Sequence, residues 1–98
     1  MNMNNLMAQA QKMQRDIQKK QEEIFNMKFT STNEFVEVIL NGDKTLDKIV
    51  IKNKNLDSED IEVLEDMIKL AINDAIKQVD LETEKKLGAY SKLANGMF

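Results

Sequence analysis

The carboxylates are the side chains of this sequence best suited to chemistry, because six of them crowd into one short segment. They are Asp57, Glu59, Asp60, Glu62, Glu65 and Asp66. Clustered carboxylates can bind a divalent cation, but acids are also stabilised near the positive end of a helix dipole. A helix is predicted to begin inside this segment. We therefore interpret the cluster as helix N-terminal acids and predict no metal site.

Histidine and cysteine are both absent from the sequence. The chain therefore lacks the commonest general base, any thiol nucleophile and the side chains that most often bind transition metals. Its three glycines, Gly42, Gly88 and Gly96, do not form a phosphate-binding pattern. We expect no catalytic residues and no cofactor, so the chain is predicted not to be an enzyme.

Size and composition indicate one folded domain over residues 1–98. The chain is 42% hydrophobic and 32% charged, and it contains no proline, which suits a helix-rich fold. Its sequence shows neither an apolar stretch long enough to span a membrane nor a signal peptide at the N-terminus. The cytoplasm is therefore the expected compartment.

The first predicted element is a helix from about Asn4 to Met27. Its apolar residues recur at heptad spacing, which is typical of a seam that packs against another helix. The seam comprises Leu6, Ala10, Met13, Ile17, Ile24 and Met27. Lys12, Arg15 and Lys19 fall on the opposite side of the helical wheel. Charge alone favours a solvated helix face as the interpretation of these three cations.

The middle of the chain predicts an antiparallel sheet. A short strand begins within residues 27–30, and residues 31–33 are predicted to form a turn. The segment 34–40 is β-branched and aromatic, which favours a second strand with two distinct faces. One face comprises Val36, Val38 and Leu40, and the other comprises Phe35 and Ile39.

A hairpin turn is predicted at Asn41-Gly42, the residue pair preferred where a tight turn needs positive φ. A third strand is expected to follow over about residues 46–52. Replacing Gly42 by valine should destabilise the protein, because a β-branched side chain resists positive φ.

The last predicted element is a helix from about Ser58 to Lys86, with Asp57 or Ser58 as its N-cap. Gly88 predicts a C-terminal break, and residues 89–98 are expected to fray. One broad apolar face comprises Ile61, Leu64, Ile68, Ala71, Ile72, Ala75 and Val79, and a smaller one comprises Val63, Met67, Leu70 and Leu81. A helix that is apolar on two sides must be covered on two sides, which predicts a homodimer.

Four segments are informative beyond their periodicity. They are NLMAQAQKMQ at 5–14, QEEI at 21–24, the Asn41-Gly42 turn with KIVI at 48–51, and LEDMI at 64–68 with AINDA at 71–75. Together and in this order, they resemble the YbaB/EbfC family of bacterial nucleoid-associated proteins over nearly the whole chain. The resemblance implies an α+β fold, an α-β-β-β-α protomer in which two long helices flank a small antiparallel sheet. It also implies a dimer whose helices project like tweezers.

The resemblance further implies duplex DNA binding with limited sequence preference, and a role in nucleoid organisation and gene regulation. Mapped by position, the family's contact region corresponds to Lys12, Arg15, Lys19, Lys20, Lys85, Lys86 and Lys92. Both ends of the chain are mildly basic, whereas residues 29–82 are strongly acidic. An asparagine or arginine recognition pattern is not evident, so base-specific contacts are not predicted.

Two functional hypotheses follow from these patterns. The leading one is a nucleoid-located homodimer that binds double-stranded DNA electrostatically, with lysines meeting phosphates and releasing counterions. The alternative is a non-catalytic adaptor dimer that binds a replication or repair protein through its apolar seams and binds DNA weakly or not at all.

Overall fold

The computed structural model describes the backbone of residues 2–97 and the side chains of residues 2–90. Its elements are α1 (Met3–Phe25), β1 (Lys28–Thr32), β2 (Val36–Asn41), β3 (Leu46–Ile51) and α2 (Asp60–Met97). This α-β-β-β-α order confirms the predicted fold class. The molecule measures 70 × 23 × 14 Å, and it is elongated because the 38 residues of α2 alone span about 57 Å.

The sheet is antiparallel with the strand order β1-β2-β3, and its core lies on one face of the central strand. The predicted alternation is confirmed, since Val36, Val38 and Leu40 are at most 2% exposed. α2 crosses this face over β2 and β1. The buried residues that it contributes are Leu64, Ala71, Ala75 and Val79. Most of β3 stays exposed because α2 does not cover it.

β1 extends through two residues that the sequence had placed in a turn. Ser31 pairs with Val38 and Thr32 with Glu37, so the predicted turn at 31–33 was wrong for these two positions. The Ser31 side chain is buried, and its hydroxyl donates to Asp74 Oδ2 at 2.9 Å. A polar strand of this kind has little apolar alternation to reveal it, and the partner of its buried hydroxyl is 43 residues away in the sequence.

Asp74 links α2 to β1 through hydrogen bonds. It accepts the Ser31 hydroxyl and, at 3.0 Å, the Gln78 side-chain amide, which also donates to the Thr30 carbonyl. These two bonds to its carboxylate lower the pKa of Asp74. The carboxylate is therefore ionised at neutral pH and serves to join helix and sheet.

The β2–β3 hairpin has a three-residue loop rather than a two-residue turn. Asn41 N donates to the Thr45 carbonyl at 2.8 Å, and Lys44 N donates to the Asn41 carbonyl at 2.9 Å. The positive φ of 68° falls on Lys44 and not on Gly42, as expected for a type I turn followed by a left-handed residue. The predicted positive φ at Gly42 was wrong.

Gly42 is required for a different reason, namely the close approach of α1. A Cβ built at this position would lie 1.7 Å from the carbonyl oxygen of Ile24. The Gly42 N–H also donates to the Met27 carbonyl at 3.1 Å. The hairpin loop therefore supports the end of α1 directly, backbone against backbone.

α2 begins and ends later than the sequence predicted. The Asp57 carboxylate accepts from the backbone N–H groups of Glu59 and Asp60 at 3.1 and 3.3 Å, so the helix starts at Asp60. It continues through Gly88 to Met97, so the predicted break was wrong. A glycine costs a helix only about 1 kcal/mol, which packing against α1 can offset. Fraying of the last residues stays a prediction.

Candidate nucleic-acid interface

Only the second half of α1 is held against the rest of the protein. Ile24 is its single buried residue, at 2% exposed. At the other end, the Asn2 side chain caps the helix by accepting from Asn5 N at 2.9 Å. Every described residue before Met13 is exposed. The first half of α1 therefore projects from the body of the protein.

The predicted seam of α1 packs against the second half of α2. Met13 and Ile17 are half-buried, and so is Lys20, which fills the skipped position of the heptad. The Lys20 ammonium lies 5.1 Å from the centre of the Tyr90 ring, a cation–π distance. Lys86 Nζ lies 3.6 Å from a Glu23 carboxylate oxygen. Two of the lysines that were predicted to contact DNA, Lys20 and Lys86, therefore contribute to the packing of α1 against α2.

The candidate cations separate into distinct groups. Lys12, Arg15 and Lys19 are exposed on the side of α1 opposite the seam, and we call them the basic stripe. Among the described side chains, none of the three forms an ion pair. Lys85 is exposed on α2, whereas the half-buried Lys86 binds both Glu23 and Glu82. The side chain of Lys92 lies outside the described residues.

Charge is arranged so that an anion can approach the projecting half of α1. Residues 3–15 contain no acid, and the first acid of the helix is Asp16. The acidic excess is concentrated in residues 57–66, at and just before the start of α2, where six acids occur without a base. A phosphate backbone would therefore meet cations along α1 and repulsion at the body.

A shallow surface groove runs beside the basic stripe. It is lined by Gln11, Gln14, Arg15 and Gln18. Charged and apolar positions do not single out these amides, so they were not among the predicted site residues. Their three- and four-residue spacing, which repeats on one side of a helix, was the signal that could have revealed them.

Two carboxylates of the acidic segment, those of Asp57 and Asp60, form hydrogen bonds that are typical of helix N-terminal acids. Asp57 caps α2 as described above, and Asp60 Oδ2 accepts from Asp57 N at 3.3 Å. In the described part of the chain, no group of three or more acids has the geometry to hold a metal ion. Neither helix, as far as it is described, is long and apolar enough to cross a membrane.

Comparison with known proteins agrees with this geometry. The profile of the YbaB/EbfC DNA-binding family matches residues 1–96. A nucleoid-associated protein of Lactococcus lactis is 46% identical over 94 residues, which cover 94% of this chain and 95% of the relative. One from Streptococcus agalactiae is 47% identical over 93 residues, covering 93% and 94% respectively. Since these matches include both helices and the sheet, the chain belongs to the YbaB/EbfC DNA-binding family.

Proposed function

We propose that this protein binds duplex DNA as a homodimer in the nucleoid, with limited sequence preference, and so influences nucleoid organisation and gene expression. The observation that carries the proposal is the basic stripe, whose three cations are exposed and form no ion pair among the described side chains. It lies on the side of α1 that the packing seam leaves free. Membership of a DNA-binding family supports the same ligand.

The proposed mechanism is electrostatic. Lysine and arginine side chains neutralise phosphates and release condensed counterions, which favours binding without reference to sequence. One basic stripe supplies only three cations, so two copies must act together to bind well. The acidic body would then lie away from the DNA, because like charges repel.

A salt series of mobility shifts with unrelated duplexes tests this proposal. The logarithm of the binding constant should fall linearly with the logarithm of the salt concentration, with a slope of about −0.9 per phosphate contact. Because two basic stripes contain six cations, the slope should be no steeper than about −5. Unrelated duplexes of equal length and equal base composition should bind with similar affinity. Absence of a shift at low salt, or an affinity insensitive to salt, would contradict electrostatic duplex binding.

Exposed apolar side chains support the homodimer. Val63, Leu70 and Leu81 are 40%, 58% and 66% exposed on one side of α2. Leu46 and Ile49 are also exposed, on the edge strand β3. Exposed apolar groups and unpaired strand edges are common where a second protein packs. A second copy of the chain would cover them.

Replacing Leu70 by aspartate should weaken the dimer, because a buried unpaired charge is costly. Light scattering after size exclusion should show the Leu70→Asp variant dissociating at concentrations where the wild type remains dimeric. Asn73→Asp is the matched control, since it adds the same charge at an exposed polar position of α2. A monomeric wild type, or a Leu70→Asp variant as dimeric as the control, would refute the homodimer.

Exposed apolar side chains at the tip of α1 favour one second candidate. Met3, Leu6 and Met7 are 76%, 47% and 57% exposed, and they could contact a replication or repair protein. In that case, the protein would be a non-catalytic adaptor. Recovery of such a partner together with no DNA shift at any salt would favour the adaptor over the DNA-binding dimer.

A further inference from the structure

We propose that Gln11, Gln14 and Gln18 form a glutamine stripe that contacts adenine edges in the major groove of DNA. This inference rests on the proposed duplex binding and adds base contacts to it. All three side chains are exposed, and they line one groove together with Arg15 of the basic stripe. Base contacts and phosphate contacts would therefore come from adjacent faces of one helix.

The composition of the glutamine stripe is unusual for this chain. The positions at the same heptad spacing, 7, 11, 14, 18, 21 and 25, carry no charge in a protein that is 32% charged, although Arg15 and Glu22 border them. A solvated face of such a protein would carry charges. A helix–helix seam would carry apolar residues instead. Primary amides in a row suit a ligand that offers paired donors and acceptors.

Adenine is the base that fits a glutamine side chain best. Its major-groove edge presents an N7 acceptor beside an N6 donor, which an amide can bind in bidentate fashion. The major groove is also wide enough to admit a helix. Gln11 and Gln18 are separated by about 10 Å along α1, which corresponds to about three base-pair steps of roughly 3.4 Å each.

The orientation of α1 would then be set by its cations. Lys12 and Lys19 have the same seven-residue separation as Gln11 and Gln18, on the neighbouring side of the helix. With the glutamines toward the bases, these lysines point toward one phosphate strand at the rim of the groove. Asp16 lies within this span, four residues after Lys12 and three before Lys19, but it is half-buried whereas both lysines are exposed.

The test compares three duplexes of equal length at one salt concentration by fluorescence anisotropy. One contains runs of adenine, one contains only G·C pairs, and one repeats the first with deaza-adenine, in which carbon replaces the N7 acceptor. The full-length wild type should bind the adenine duplex at least about fivefold more tightly than either other duplex. The variant Gln11→Ala/Gln14→Ala/Gln18→Ala should bind all three equally and still fold, because alanine favours helix.

Two controls separate base contacts from other effects. Lys12→Ala/Lys19→Ala should weaken binding to all three duplexes by a similar factor, whereas Gln9→Ala, an exposed amide outside the stripe, should change none. Equal wild-type affinities for the three duplexes would overturn the inference while leaving duplex binding intact. If the triple glutamine variant no longer forms a dimer, the glutamine stripe contacts a second copy of the chain and not DNA, which would also overturn the inference. A wild type that binds no duplex would overturn the proposed function itself.

Discussion

Reversing the charge of the whole basic stripe should abolish duplex binding while leaving the fold intact. In the variant Lys12→Glu/Arg15→Glu/Lys19→Glu, each dimer would lose six cations from its two stripes and gain six anions in their place. We expect affinity to fall by at least about a hundredfold at moderate salt on every duplex, since phosphate contacts dominate affinity and carry little sequence information. Stability should barely change, because exposed charges contribute little to it.

A second triple variant separates the effect of where the reversed charges lie from the effect of how many charges are reversed. Lys54, Lys69 and Lys77 are exposed on the body of the protein rather than on α1. Replacing these three by glutamate lowers the net charge of the chain by the same amount. Anisotropy titrations of both variants at one salt concentration should show a much smaller loss for the body variant. If both lose affinity equally, long-range charge is responsible and α1 is not the contact surface.

Replacing Gly42 by alanine should destabilise the protein more than any surface substitution considered above. The added Cβ would lie 1.7 Å from the Ile24 carbonyl oxygen and 2.5 Å from its carbon. Both are backbone atoms of α1, so relief requires moving the helix end and not merely a side chain. We expect a loss of about 3 kcal/mol or more, and a decrease in Tm of more than about 10 °C.

Gly88→Ala is the matched control for Gly42→Ala. A Cβ at Gly88 would approach only the carboxylate of Glu84, at 2.7 Å, and that exposed side chain can rotate away. Alanine also favours helix over glycine by about 1 kcal/mol, so Tm should be unchanged or slightly higher. Thermal unfolding by circular dichroism compares the two variants. A Gly42→Ala protein as stable as Gly88→Ala would refute the close packing of the hairpin loop on α1.

The effect of Gly42 also reaches the candidate interface. α1 is held at Ile24, which contacts the hairpin loop, and Lys12 lies about 18 Å from this anchor along the helix. A small rotation at the anchored end displaces the projecting end much further. Where a Gly42→Ala protein remains folded, DNA affinity should therefore fall although no cation has been removed.

Part of the candidate site was predictable because it depends on local periodicity. Placing Lys12, Arg15 and Lys19 opposite the seam requires only 3.6 residues per turn, and the structure shows these positions exposed. Lys20 and Lys86 carry the same charge as Lys12 and Lys19 and also lie within the predicted helices. Their half-buried positions beside Tyr90 and Glu23 depend on how α1 meets α2, which a helical wheel does not contain.

The amino-acid sequence by itself determined the order of elements, the buried face of β2 and the two-sided apolar pattern of α2, because side-chain alternation and helical repeat are properties of neighbouring residues. Tertiary structure alone decided that Ser31 and Thr32 join β1, that α2 passes through Gly88, and that Gly42 serves close packing while Lys44 takes the positive φ. Except for the positive φ of Lys44, which follows from the hydrogen bonds of its own turn, these outcomes depend on contacts between residues far apart in the chain. Such contacts can override the weak local preferences of polar residues and glycine, since those preferences amount to only about 1 kcal/mol.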